Sequence, residues 1–228
     1  MQVNPLFHLG PFAINETVVT TWGLMLFLFL VSWLSTRRLK LEPGRWQVAL
    51  EGILGAIQDA IAAVLPEHAL RILPFLATLW IFVVSANLVG IIPGLRGPTG
   101  DLSTTAALAV LVFLSVHWYG IRIHGLKPYL RHYIEPNALL LPFHIVSEIS
   151  RTVALAVRLF GNIFSLEMAA LLVLLVAGFL VPVPVLLLHI VEALVQAYIF
   201  GMLALIYIAG GIQSLELKKL NGEGVKNA

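Results

Sequence analysis

The run from Leu141 to Val176, LPFHIVSEISRTVALAVRLFGNIFSLEMAALLVLLV, sets ionisable and amide side chains in an otherwise apolar stretch. At about 100° per residue, His144, Ser147, Arg151, Asn162 and Ser165 fall within about 40° of Arg158 on a helical projection. Glu148 lies at about 80°, on the edge of that stripe, and Glu167 points to the opposite side. A second stripe follows on a later helix, where His189, Glu192, Gln196 and Tyr207 lie within about 60° of one another. An ionisable group at mid-membrane costs about 2.5 to 3.5 kcal/mol on insertion scales, so several on one helix must face protein or water. For His144, Glu148 and Arg151, snorkelling ends and ion pairs that hold helices together are equally good readings. Arg158 lies too deep for either.

These residue types suit the passage of ions better than the breaking of bonds. Glu167, His189 and Glu192 gather toward one membrane face, and His144, Ser147 and Glu148 toward the other. Arg158 separates the two groups. Two polar pockets that open to opposite sides, with a fixed cation between them, pass ions without a continuous pore.

The elements that position these residues follow from composition. Apolar residues make up 59% of the 228 residues and charged residues 11%, against about 25% charged in a soluble domain. So few charges cannot cover a water-facing surface, and lipid must be the solvent for much of the chain. The net charge of +2 gives no sign of nucleic-acid binding. The absence of cysteine excludes disulfides and thiolate sites. The first residues, MQVNPLFHLGPFAINE, have neither Lys nor Arg nor a small-residue cleavage signal, so the first apolar run reads as a retained span.

The chain is therefore expected to be an all-α integral membrane protein with five transmembrane helices and one amphipathic interfacial helix, forming a single membrane domain over 1–228. Residues 1–16 precede span 1 at 17–36, which Arg37, Arg38, Lys40 and Arg45 follow. Residues 45–66 read as the surface helix. There Leu50, Ile53, Leu54, Ile57, Ile61, Val64 and Leu65 recur at helical spacing, with Gln47, Glu51, Gln58 and Asp59 largely opposite. Spans at 72–95 and 102–121 read as a membrane hairpin around the Pro93-Gly94 turn. A basic connector with Arg122, His124, Lys127, Arg131 and His132 comes next. A long span at 137–180 covers roughly 60 Å, about twice a hydrocarbon core, so it must tilt steeply or project. Gly161 weakens it locally. Pro182 and Pro184 are expected to force a tight reversal before the last long span, 185–214, and a tail at 215–228. Lys and Arg cluster in the connectors after spans 1 and 3 and in the tail. The positive-inside rule then places the N-terminus outside and the C-terminus in the cytoplasm.

Other classes fit less well. A self-sufficient transporter or channel suits intramembrane charges, but an odd number of spans without a repeat argues against the common inverted-repeat designs. Haem ligation through His117, His124, His144 or His189 would need well-placed axial pairs. No Ser-His pair or metal motif marks an intramembrane protease. No GxxxxGK[ST] loop occurs, so nucleotide chemistry belongs to other chains.

The run Arg158-Leu159-Phe160-Gly161-Asn162, then Glu167, then HIVEALVQAYIF from His189 to Phe200, resembles subunit a of F-type ATP synthases. PFLATLWIFVVSANLVGIIPG in the third element, Asn15 and Trp22 about the first span, and TGDLSTTAALA at the start of the fourth extend the resemblance over most of the chain. The Phe-Gly form resembles bacterial or plastid members.

The resemblance implies a stator subunit of a rotary ATP synthase in the cell (inner) membrane. It implies a neighbouring rotor ring of small helical hairpins, each with one essential carboxylate, and b-type peripheral stalk subunits. No cofactor is implied. The chain would couple proton or sodium flow to ring rotation, with ATP made or hydrolysed elsewhere. Arg158 resembles the family's essential arginine. Asn162 belongs to the same motif, and Glu167, His189 and Gln196 stand where the family places polar residues of the ion pathway. An arginine side chain keeps its charge, so it favours the ionised form of an approaching ring carboxylate and blocks leakage between the pockets. Many members have a glutamate where His144 stands and a proline where Thr152 stands. Glu148, one turn later, is expected to take over the polar role at the cytoplasmic exit. Glu192 falls at a variable position.

Overall fold

The computed structural model describes residues 7–9, 12–14, 16–37, 44–92, 97–129, 141–177 and 182–226, with side chains at 16–37, 44–92, 97–129, 142–176, 184 and 186–213. Arg38, Lys40, the Pro93-Gly94 turn, Arg96, Arg131, His132, residues 137–140 and residues 178–181 lie outside the described residues.

The protein is an all-α integral membrane protein. Its helices are α1 (Glu16–Thr36), α2 (Arg45–Val64), α3 (Ala69–Val89), α4 (Leu102–His124), α5 (Leu141–Ala177) and α6 (Pro182–Lys226). Two three-residue strands, Phe7–Leu9 and Phe12–Ile14, pair antiparallel ahead of α1. All six helices are long and apolar enough to cross a bilayer by length and composition. In α2 a polar side is visible, where Gln47 Nε2 donates to Glu51 Oε1 at 2.8 Å and Asp59 is exposed.

Local chemistry sets the helix ends. The Asp101 carboxylate accepts from the Ser103 backbone N–H at 3.0 Å and caps α4, satisfying one of the amides that a helix start leaves unpaired. Gly125 ends α4 with φ of 85°, a conformation that glycine adopts without a Cβ penalty. The expected reversal before the last helix lies at 178–181, outside the described residues, and Pro182 and Pro184 open the helix that follows. They lie in the first turn of α6, where no intrahelical amide donor is required, so proline is tolerated there. α6 also continues to Lys226, past Ser214. Polar helix formers such as Glu216, Lys218 and Lys219 sustain a helix beyond the apolar run. α5 likewise runs unbroken through Gly161.

The core lies among α3, α4, α5 and α6. Ile72, Leu76, Val83, Val112, Leu155, Leu159, Phe200, Leu205, Ile208 and Ile212 are buried there. α3 and α4 meet through Phe75 and Tyr119, whose ring centroids are 6.1 Å apart. Otherwise α3 packs chiefly on α6, and α4 packs on α5 first and on α6 next. The turn at Pro98–Gly100 packs on both α3 and α4.

Small residues on α6 permit this close packing. Ala193, Ala197, Gly201 and Ala204 are buried, and a Cβ added at Gly201 would overlap the Trp80 indole. α1 stands mostly free of the core, with Thr17 and Leu24 buried and Trp22, Phe27, Phe29 and Leu34 exposed.

Candidate ion-translocation site

α5 and α6 run antiparallel, and two contacts fix their register. Asn162 Nδ2 donates to Gln196 Oε1 at 2.5 Å. Arg151 Cζ lies 5.8 Å from the centroid of the Tyr207 ring. Eleven residues separate the two contacts on each helix, or about 16 Å of axial rise. In that register Glu167 stands level with Val191, beside Glu192 and within one turn of His189, at one end of the bundle. His144 and Glu148 stand at the other end, with Arg158 between.

The residues divide by the face they occupy. His144, Ser147, Arg151, Arg158 and Ser165 are exposed, on one outward stripe of α5. Among the described residues Arg158 has no ion-pair partner. Asn162 leaves this stripe. It is half-buried and turned toward α6 by the Gln196 bond, although the projection set it with the others. Glu148 is 26% exposed and Arg151 54%, with Oε1 and Nη1 3.8 Å apart.

The opposite side of α5 faces inward. Glu167 is half-buried and packs on the short turn Pro98–Gly100, where a Cβ on Gly100 would sit 2.9 Å from its Oε1. This turn also touches α1, α3 and α4. His189 is 2% exposed and Gln196 1%, while Glu192 and Tyr207 are half-buried. From α3, Asn87 Nδ2 donates to the Ala193 carbonyl at 3.1 Å, one turn from His189.

Among the described residues, four buried polar atoms in this interior lack a protein hydrogen-bond partner, namely Asn87 Oδ1, Thr99 Oγ1, His189 Nε2 and Gln196 Nε2. Buried polar groups are ordinarily satisfied by protein or by ordered water, and leaving one unsatisfied costs about 1 to 3 kcal/mol. Four on three adjoining elements form a polar seam suited to hydration.

Asn87, Thr99 and Gly100 were not singled out from the sequence. A lone amide in VVSANLVG was a usable signal for Asn87. Thr99 and Gly100 lie in a turn, where a hydroxyl and a glycine are ordinary. Two of the histidines weighed as haem ligands bond backbone carbonyls, His124 across to α6 and His117 within its own helix. His124 Nε2 donates to the Ile212 carbonyl at 3.1 Å, and His117 Nδ1 lies 2.9 Å from the Phe113 carbonyl.

The sequence profile of the ATP synthase A chain family matches residues 18–209. A protein named ATP synthase subunit a 2 from Pelobacter propionicus is 64% identical over 214 residues, covering 94% of each chain. ATP synthase subunit a from Legionella pneumophila strain Philadelphia 1 is 60% identical over 93% of each chain. A Bradyrhizobium protein named ATP synthase subunit a 2 is 47% identical over 94% of this chain and 99% of its own.

A bundle of long apolar helices enclosing a polar seam defines a multi-pass membrane protein built around buried polar groups. The chain belongs to the ATP synthase A chain family, as a non-catalytic membrane subunit of that complex.

Proposed function

We propose that this chain is the stator subunit that moves protons or sodium ions past a rotor ring, through two offset aqueous half-channels separated by Arg158. The observation that carries the reading is the placement of Arg158. It stands exposed on α5 without an ion-pair partner among the described residues, and the seam of unpartnered polar atoms lies inside the bundle toward one end.

One half-channel is the seam. Glu167, His189, Glu192 and Gln196 line it, with Asn87 and Thr99 alongside, and Asn162 closes it toward Arg158 through the Gln196 bond. The other half-channel is the outward stripe toward His144 and Ser147, with Glu148 at its edge. A ring carboxylate that reaches Arg158 is stabilised in its ionised form, so it releases its ion into one path and reloads from the other.

The N-terminus lies outside and the C-terminus in the cytoplasm, which places the seam on the external side. α2 lies in the interface with its polar side to water. The partners are a rotor ring carrying essential carboxylates and b-type stalk subunits, in a cell (inner) membrane.

Arg158→Ala tests the reading in the assembled complex. ATP-driven ion pumping into membrane vesicles should fall about a hundredfold or more, the scale seen when a preorganised charge is removed from a site. The ring should still co-purify. Pumping near the native level with Ala at 158 would refute the two-path mechanism.

A further inference from the structure

We propose that Glu148 and Tyr207 hold Arg151 as a neutralised cation. Among the described residues, this leaves Arg158 as the single uncompensated positive charge that α5 presents to the rotor.

Arg151 and Arg158 share the outward stripe. Seven residues separate them, which is about 10 Å of rise and a rotation of about 20°. Arg151 is 54% exposed, so a carboxylate travelling along this face meets two guanidinium groups rather than one. Two unit charges about 10 Å apart, at an effective dielectric near 20, still bias an ionisation equilibrium about tenfold. A bare Arg151 would therefore hold a ring carboxylate ionised and stalled short of Arg158.

Two contacts suppress this competition. Glu148 Oε1 lies 3.8 Å from Arg151 Nη1, one turn earlier on the same helix. The Arg151 guanidinium also lies over the Tyr207 ring at 5.8 Å, within the range of a cation–π contact. A fully solvated pair of this kind contributes little, but beside hydrocarbon or a protein face the screening that weakens it is reduced. Thr152 Oγ1 donates to the Glu148 backbone carbonyl at 2.9 Å and leaves the Glu148 carboxylate to Arg151. Glu148 is thus a positioning residue. It acts through Arg151 rather than by relaying ions.

The inference rests on the function proposed above, and a double-mutant comparison separates the two. Pumping is measured in vesicles holding the assembled complex, normalised to co-purified ring, for Glu148→Gln, for Glu148→Gln with Arg151→Gln, and for Arg158→Ala. Glu148→Gln should lower pumping about tenfold. Removing Arg151 as well should restore it to within about twofold of native. The alanine pair at the same two positions repeats the comparison should the glutamine variants fail to assemble.

If the double variant stays as low as Glu148→Gln, the carboxylate itself carries ions and the inference falls. Native pumping in Glu148→Gln overturns it equally, because Arg151 then needs no neutraliser. In both cases loss of pumping in Arg158→Ala leaves the broader reading standing, whereas survival of pumping there removes it.

Discussion

At the scale of single residues, Gln196 carries two roles on one amide. Its Oε1 accepts from Asn162 at 2.5 Å, while its Nε2 is buried without a protein partner. Gln196→Leu removes an unsatisfied donor, which by itself favours the folded state, and orphans Asn162 Nδ2, which opposes it. Each effect is about 1 to 3 kcal/mol, so assembly should change little. Pumping should nevertheless fall at least several-fold, on the order of one lost charge-handling hydrogen bond. Quantifying assembled complex and pumping in one preparation checks this. Equal losses in both would make Gln196 a packing residue only. Much of the candidate site was legible at this scale, because ionisable groups in apolar runs are expensive and therefore conspicuous. Arg158, Glu167 and His189 stood out for that reason. The turn of Asn162 away from its stripe was not legible, because an ideal projection cannot know which neighbour offers an acceptor.

At the scale of elements, α6 organises the molecule. Its small residues let α3 and α4 pack against it, and its pairing with α5 sets the register of the polar residues on both helices. Gly201 is the tightest point of this packing, where even a Cβ overlaps the rigid, buried Trp80 indole. Gly201→Leu should destabilise the α3–α6 contact by about 1 to 3 kcal/mol, as overpacking does. The expected readout is a lower yield of complex after detergent extraction, recovered in part by Trp80→Ala. An unchanged yield would show that α3 moves away without cost.

Helix existence was readable from apolar length, but the ends were harder. The two prolines near residue 183 looked like a breaker, since proline stops a helix from within. Proline also starts one, and the sequence alone does not say on which side of the boundary it falls. The packing of both α3 and α4 on α6 is a tertiary choice with no local signature.

At the scale of the whole molecule, composition announced a membrane protein, and the exposed faces are apolar. α1 keeps little of its surface in the core, and Trp22, Phe27, Phe29 and Leu34 face outward. Lipid satisfies such a surface, but it does not satisfy Arg158. A guanidinium held toward hydrocarbon costs about 2.5 to 3.5 kcal/mol on insertion scales, and in the proposed complex the ring carboxylates remove that penalty. The same group proposed to steer ions in the assembled complex would therefore mark an unassembled copy as unfinished. Produced without ring subunits, the chain should be cleared faster than with them, by about twofold or more in half-life. Arg158→Leu should lengthen the life of the lone chain, and equal lifetimes in pulse-chase labelling would argue against this. The arginine would then serve quality control as well as transport, timing the survival of the subunit to the arrival of its ring.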